Sequence, residues 1–177
     1  RRPAARRPQG PVGVGGHRSG EGPEVGEQLS VPLPRAVAGG TRLTTGATGG
    51  AHAWAQALDE AGVDLLDLDL VETHDCFTIA EMLEYEAMGL TPLGQGHRAI
   101  DEGWTAKDGK LPVNPSGGLK SKGHPIGATG VSMHIMAAMQ VTGAAGDMQS
   151  ADASRAGVFN MGGAAVANYV SILERLD

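Results

Sequence analysis

The feature that most constrains the fold of this 177-residue chain is a change of composition near residue 50. Residues 1–50 hold 7 Arg, no Lys, 3 Glu, 12 Gly and 6 Pro, a net charge of +4 with very few large apolar side chains. The remaining 127 residues carry 7 basic and 17 acidic groups, a net of −10, and supply nearly all the Leu, Ile and Met. A stretch such as RRPAARRPQGPVGVGGHRSGEGPEVGEQ cannot bury enough apolar surface to offset chain entropy. Residues 1–50 are therefore expected to be mostly disordered, and residues 51–177 to form the folded domain. An RNA-binding arm, an organelle presequence and a non-native stretch reflecting GC-rich coding all fit the first segment. Glu21, Glu24 and Glu27, with no Arg/apolar helical period, weigh against the presequence. A chain that begins at Arg1 is expected to be a fragment or a processed product.

From Ala51 onward the pattern becomes regular. Trp54, Leu58 and Ala61 fall at i, i+4 and i+7, an amphipathic helix that Gly62 ends. Leu66–Glu72 (LDLDLVE) reads as a strand. Asp75 is placed to cap a second helix, whose Ala80, Leu83, Ala87 and Leu90 form an apolar stripe closed by Gly89, with Glu81, Glu84 and Glu86 on its solvated side. Residues 91–128 hold four of the ten prolines and read as long ordered loops with one short strand near Leu111–Val113. Thr129–Gln140 is apolar nearly all round and reads as a buried helix. Gly157–Asn160 and Ala165–Leu173 close the chain as two strands. Helix and strand alternating, then two strands, define α/β with a mixed sheet.

Several functions are excluded or disfavoured by composition. The net charge of −6 argues against general nucleic-acid binding. No apolar run reaches the roughly 18 residues that span a bilayer, so no membrane partner is expected. A single cysteine, Cys76, excludes an internal disulfide framework and a cysteine-rich metal site. A reducing, cytoplasmic setting follows as the default expectation.

Three segments could carry chemistry. In THDCFTIAE (73–81), His74 and Cys76 stand where a strand gives way to a helix, the edge where open α/β sheets collect ligands. On the first helical turn Cys76 would have its thiol pKa lowered by the helix dipole; alternatively it is a small core hydrophobe, and His74 a structural histidine. In NPSGGLKSKGHPIGATG (114–130), glycines allow close backbone approach to a ligand, and His124 is constrained between Gly123 and Pro125. A neutral imidazole near a helix N-terminus suits a general base; a tight structural turn explains the glycines as well. The segment has neither phosphate-loop nor nucleophile-elbow spacing. In FNMGG (159–163), Gly162 and Gly163 could offer backbone N–H groups to an oxyanion, or simply turn a hairpin. His74, Cys76 and His124 have no familiar metal-ligand spacing, so no metal is expected.

Taken together, HDCF (74–77), NPSGG (114–118), GHPIGATG (123–130) and an Asn-Gly turn before the last strand resemble the C-terminal half of a thiolase. The likeness runs from about Trp54 to Glu174 and is nearest to the sterol-carrier-protein-x-like thiolases and related bacterial acetyl-CoA acetyltransferases. It implies a mixed five-stranded sheet flanked by helices. It also implies an acyltransferase that cleaves 3-ketoacyl-CoA with CoA or runs the reverse Claisen condensation. CoA thioesters are then the substrates, no cofactor is required, and the partner is a second copy or an N-terminal thiolase half. By motif position, His124 would activate a nucleophilic cysteine of the N-terminal half. Cys76 would move the proton at the substrate α-carbon, and His74 would hold the thioester oxygen. Asn160, Gly162 and Gly163 would line a second oxyanion hole. The chain departs from that pattern at Phe159, where related enzymes carry His, and it has no second cysteine to serve as nucleophile. The alternative is a non-catalytic fragment or a module that pairs with a separate N-terminal half.

Overall fold

The computed structural model describes residues 34–43 and 47–176. The elements follow in the order β1 (Pro34–Leu43), α1 (Ala47–Ala61), β2 (Leu70–Thr73), α2 (Thr78–Ala87), α3 (His97–Asp101), α4 (Gly118–Lys122), α5 (Thr129–Val141), β3 (Arg155–Gly162) and β4 (Ala167–Arg175). One mixed sheet has the order β1-β4-β3-β2. β3 and β4 form an antiparallel hairpin, β1 pairs antiparallel with β4, and β2 pairs parallel with β3.

Period-two alternation along the central strands sorts their side chains onto two faces. Val71, Phe159, Val170 and Ile172 join Trp54, Tyr85 and Leu111 in one core cluster. Leu70, Ala156, Val158 and Leu173 join Met133, Ala137 and Val141 in the other. α1 packs against β1, β4 and α2, while α5 packs against β2, β3 and β4. The sheet is thus covered on both faces, which is why all four residues of β2 are buried. With few aromatics, close approach replaces bulk: at Gly157 an added Cβ would lie 2.7 Å from the Trp54 ring and 3.0 Å from Leu68.

Several sequence expectations change here. Residues 34–43, expected within a disordered segment, form β1, because the open edge of β4 supplies hydrogen-bond partners from Ala167 to Arg175; residues 1–33 and 44–46 of that segment lie outside the described set. β1 also supplies the strand before the Trp54 helix, which begins at Ala47, four residues before the point where the sequence pattern becomes regular. The sheet has four strands among the described residues, not five. The short strand near Leu111–Val113 reduces to a single parallel bridge between Val71 and Val113. Pro112 and Pro115 on either side lack the N–H groups that a longer ladder needs. Leu65–Asp67 is a turn of 3-10 helix, so β2 begins only at Leu70. α5 is not buried all round, since Val131 and Ile135 are exposed. Short helices α3 and α4 interrupt the long loop region.

Gly157→Ala should lower stability by about 1–3 kcal/mol through overpacking against Trp54. A urea midpoint shifted down with unchanged slope is the expected result; an unshifted midpoint would show that α1 does not press on β3 as described.

Candidate active site

β2 delivers His74, Asp75 and Cys76 at its C-terminal end. α2 begins at Thr78 with Phe77 as its N-cap, so Cys76 stands ahead of the helix rather than on its first turn. A tight turn joins the Cys76 N–H to the His74 carbonyl at 2.8 Å. The expected lowering of the thiol pKa is therefore corrected: burial, and after it Glu84, push the Cys76 thiol up. Cys76 is partly buried and packs on the core beneath α5.

Asp75 does not cap α2. Its Oδ1 accepts the Leu119 N–H at 2.7 Å, and its Oδ2 lies 3.6 Å from Lys120 Nζ. This approach requires glycine at 118, where φ is +67° and a Cβ would fall 2.3 Å from Asp75 Oδ2. The fully buried Glu72 holds the same loop: Oε1 accepts the Ser116 N–H at 3.2 Å, and Oε2 accepts Ser116 Oγ at 2.7 Å and Lys122 Nζ at 2.9 Å. Asn114 completes the tie by accepting the Thr73 N–H at 2.8 Å. Two buried carboxylates and an amide thus fix the loop that leads to His124.

The rings of His74 and His124, 50 residues apart, meet edge to face with centroids 4.8 Å apart. His124 Nδ1 lies 2.7 Å from Thr129 Oγ1, whose hydroxyl donates to the Pro125 carbonyl at 3.2 Å. A hydroxyl has one hydrogen, so Thr129 must accept from His124 Nδ1–H, which leaves the lone pair of the neutral ring on Nε2. His74 Nδ1 lies 2.8 Å from Asn160 Oδ1, an acceptor, so Nδ1 carries the proton there. Burial holds the His74 imidazole below its ordinary pKa; the Asn160 bond opposes this and His124 reinforces it. The unfolded chain then binds more protons between that lowered value and about 6.5, so this site favours folding above about pH 6.5 and loses that contribution as pH falls below it.

All six sequence-predicted residues, His74, Cys76, His124, Asn160, Gly162 and Gly163, border one cavity of about 970 Å³. Its wall is mostly apolar, including Phe77, Leu83, Ile126, Val131 and Phe159. The hairpin turn at its edge is strained: Gly163, Ala164 and Ala165 have φ of +58°, +56° and +65°. Three residues went unassigned in the sequence. Thr129 orients His124, and Asn168 is fully buried in the cavity wall. Glu84, expected on a solvated face, is buried beside Cys76; its spacing of i+4 from Ala80 and i−3 from Ala87 does place it with the apolar stripe. His134, which does not line the cavity, instead bridges the carbonyl of Gly130 in the cavity wall and Ser171 Oγ. Among the described residues no group of three His, Cys, Asp or Glu side chains is placed to hold a metal ion, and no helix is long and apolar enough to cross a membrane.

A mixed sheet covered on both faces, with paired imidazoles and a thiol in a cavity beyond β2, defines an α/β domain with a strand-end site. Residues 36–175 match the family described as thiolase C-terminal domain-like, and the chain belongs to that family. An acetyl-CoA acetyltransferase of Methanothermobacter thermautotrophicus is 45% identical over 109 residues, covering 62% of this chain and 28% of that protein. Human sterol carrier protein 2 is 46% identical over 104 residues, covering 59% of this chain and 19% of that protein. The benzoylsuccinyl-CoA thiolase subunit BbsB of Thauera aromatica is 47% identical over 77 residues, covering 44% of this chain and 20% of that protein. The chain therefore matches less than a third of each of these relatives. Among solved structures, an Ltp2-ChsH2(DUF35) aldolase shares the fold with a TM-score of 0.67 at 21% identity, covering 81% of this chain and 40% of that one.

Gly118→Ala should displace Asp75 from the Leu119 N–H and move the loop that carries His124. The expected outcome is a shifted His124 ring resonance with reduced thermal stability. An unmoved resonance would mean that this tie does not position the imidazole.

Proposed function

We propose that this chain is the C-terminal half of a thiolase-type acyltransferase acting on CoA thioesters, either by thiolysis of a 3-ketoacyl-CoA or by the reverse condensation. The observation that carries the reading is the convergence of His74, Cys76 and His124 on one apolar-walled cavity. His124, with Nε2 unprotonated, acts as the base that takes the proton of a cysteine nucleophile. Cys76, kept as a thiol, gives its proton to the substrate α-carbon during cleavage and receives it during condensation. Its raised pKa suits an acid more than a nucleophile. His74 stabilises the thioester oxygen as it becomes an enolate. For a neutral His74 to donate from Nε2, the Asn160 side chain must turn its amide nitrogen toward Nδ1. Gly162 and Gly163 supply the second oxyanion contact at the hairpin. No cofactor enters this scheme.

The nucleophile must come from outside these 177 residues, because Cys76 is their single cysteine and is assigned to proton transfer. The partner is an N-terminal thiolase half. Exposed Phe77, Ile79, Leu83, Ile126, Val131 and Ile135 supply apolar surface for it to cover. The single cysteine also favours a second statement, that this chain by itself does not turn over.

The 177-residue chain should give no thiolysis of acetoacetyl-CoA in the presence of CoA; turnover by material of verified 18.1 kDa mass would overturn the assignment of the nucleophile to another segment.

The positive test replaces the matching segment of the Methanothermobacter acetyl-CoA acetyltransferase with residues 54–174 of this chain. The chimera should transfer acetyl groups, and Cys76→Ala or His124→Ala in it should lower kcat/KM at least about 100-fold. A folded chimera whose activity ignores both substitutions would contradict the proposed roles.

A further inference from the structure

The cavity wall holds an acid that the acyl-transfer scheme leaves unused. Glu84, on the second turn of α2, is only 2% exposed and borders the cavity together with Cys76. Its Oε2 accepts the Thr73 hydroxyl, while Oε1 has no hydrogen-bond partner. Among the described residues no cation pairs with it; Lys120 Nζ lies 3.6 Å from Asp75 Oδ2 and 3.4 Å from Glu81 Oε2. A buried carboxylate with an unpartnered oxygen costs folding free energy, so its position calls for a use.

The same burial acts on both acids. It is the largest influence pushing the Glu84 carboxyl well above its ordinary value, with Glu81 and Asp75 adding to it and the Thr73 hydroxyl and the His74 backbone N–H opposing it. It is also the largest influence raising the Cys76 thiol, with Glu84 next and Asp75 contributing. Facing them across the cavity are the His74 and His124 imidazoles; from β3 and β4 come Phe159, Asn160 and Asn168, none of them charged. Two like charges in such a place cannot both be accommodated.

We propose that Glu84 and Cys76 form a coupled acid pair that carries at most one negative charge, Glu84 ionising first and so holding Cys76 as a thiol. Glu84 is then a positioning residue for the proton, acting through Cys76 without touching substrate. When Cys76 acts as an acid, its S–H bond breaks, a C–H bond forms at the substrate α-carbon, and the sulfur keeps the electron pair. Glu84 takes one proton from solvent as that thiolate appears and returns it when the thiol is restored. This use rests on the acyl-transfer reading above; the coupling itself does not.

The test is alkylation of Cys76 by iodoacetamide in the full chain, followed by intact mass, which is unambiguous because the chain has one cysteine. Glu84→Gln, which keeps the shape and the Thr73 contact, should speed alkylation at pH 8.5 about fivefold, the effect of lowering the thiol pKa by roughly 0.7. Thr73→Val removes the donor that favours the carboxylate, leaves Glu84 protonated longer, and should speed alkylation at least about twofold. It provides a second arm if the first variant does not fold. Rates within twofold of the parent in Glu84→Gln between pH 7 and 10, with an unchanged circular-dichroism spectrum, would overturn the pair; so would an unchanged rate in Thr73→Val if only that variant folds. Alkylation requires no acyl-CoA, so failure of the acyl-transfer reading would leave these rates as predicted.

Discussion

The site depends on two carboxylates at the end of β2 that are buried from water. Glu72 and Asp75 are buried by the sheet and helices around them, and a buried carboxylate must be satisfied by donors. The loop 114–122 supplies those donors: the Ser116 N–H and hydroxyl, the Lys122 ammonium and the Leu119 N–H. Packing therefore makes the demand, and the loop's glycines and short helix α4 meet it. His124 follows directly on the chain, two residues beyond Lys122, and arrives beside His74. Removing one partner from such a network leaves an uncompensated charge, which is why the tie is stringent.

The resulting cavity is apolar in its walls and sparing in charge. Its imidazoles are oriented by hydrogen bonds from Nδ1–H to Thr129 Oγ1 and Asn160 Oδ1, so the Nε2 atoms are the ones left for chemistry. Its thiol is held protonated by burial rather than ionised by a helix dipole. These choices suit proton transfer at carbon, where an acid must keep its proton until the carbanion forms. They suit less well a cysteine that attacks a carbonyl.

Much of this was legible in the sequence, and the exceptions share a physical cause. α1, the core of α5 and the β3–β4 hairpin follow from apolar periodicity, and the HDCF, GHPIG and Asn-Gly segments mark the residues that meet in the cavity. β1 was not legible, because PRAVAGGTRL carries no apolar alternation and becomes a strand only through pairing with β4. The short strand expected near Leu111–Val113 is a single bridge, because apolar Leu111 and Val113 flank a proline that cannot donate to a ladder. The sequence pattern puts Cys76 on a helix that in fact starts two residues later, and it puts Glu84 on a solvated face because its charge masks the helical spacing that buries it. In each case a tertiary partner overrode a local preference.

The most direct test of the account is whether His74 and His124 meet. With the imidazole nitrogens and carbons isotopically labelled, a nuclear Overhauser cross-peak should connect protons of the two rings, whose centroids are 4.8 Å apart. It should weaken or vanish in Asp75→Asn, which alters the carboxylate that holds the loop. Absence of any cross-peak in a well-folded parent chain would contradict the convergence on which the site and its chemistry rest.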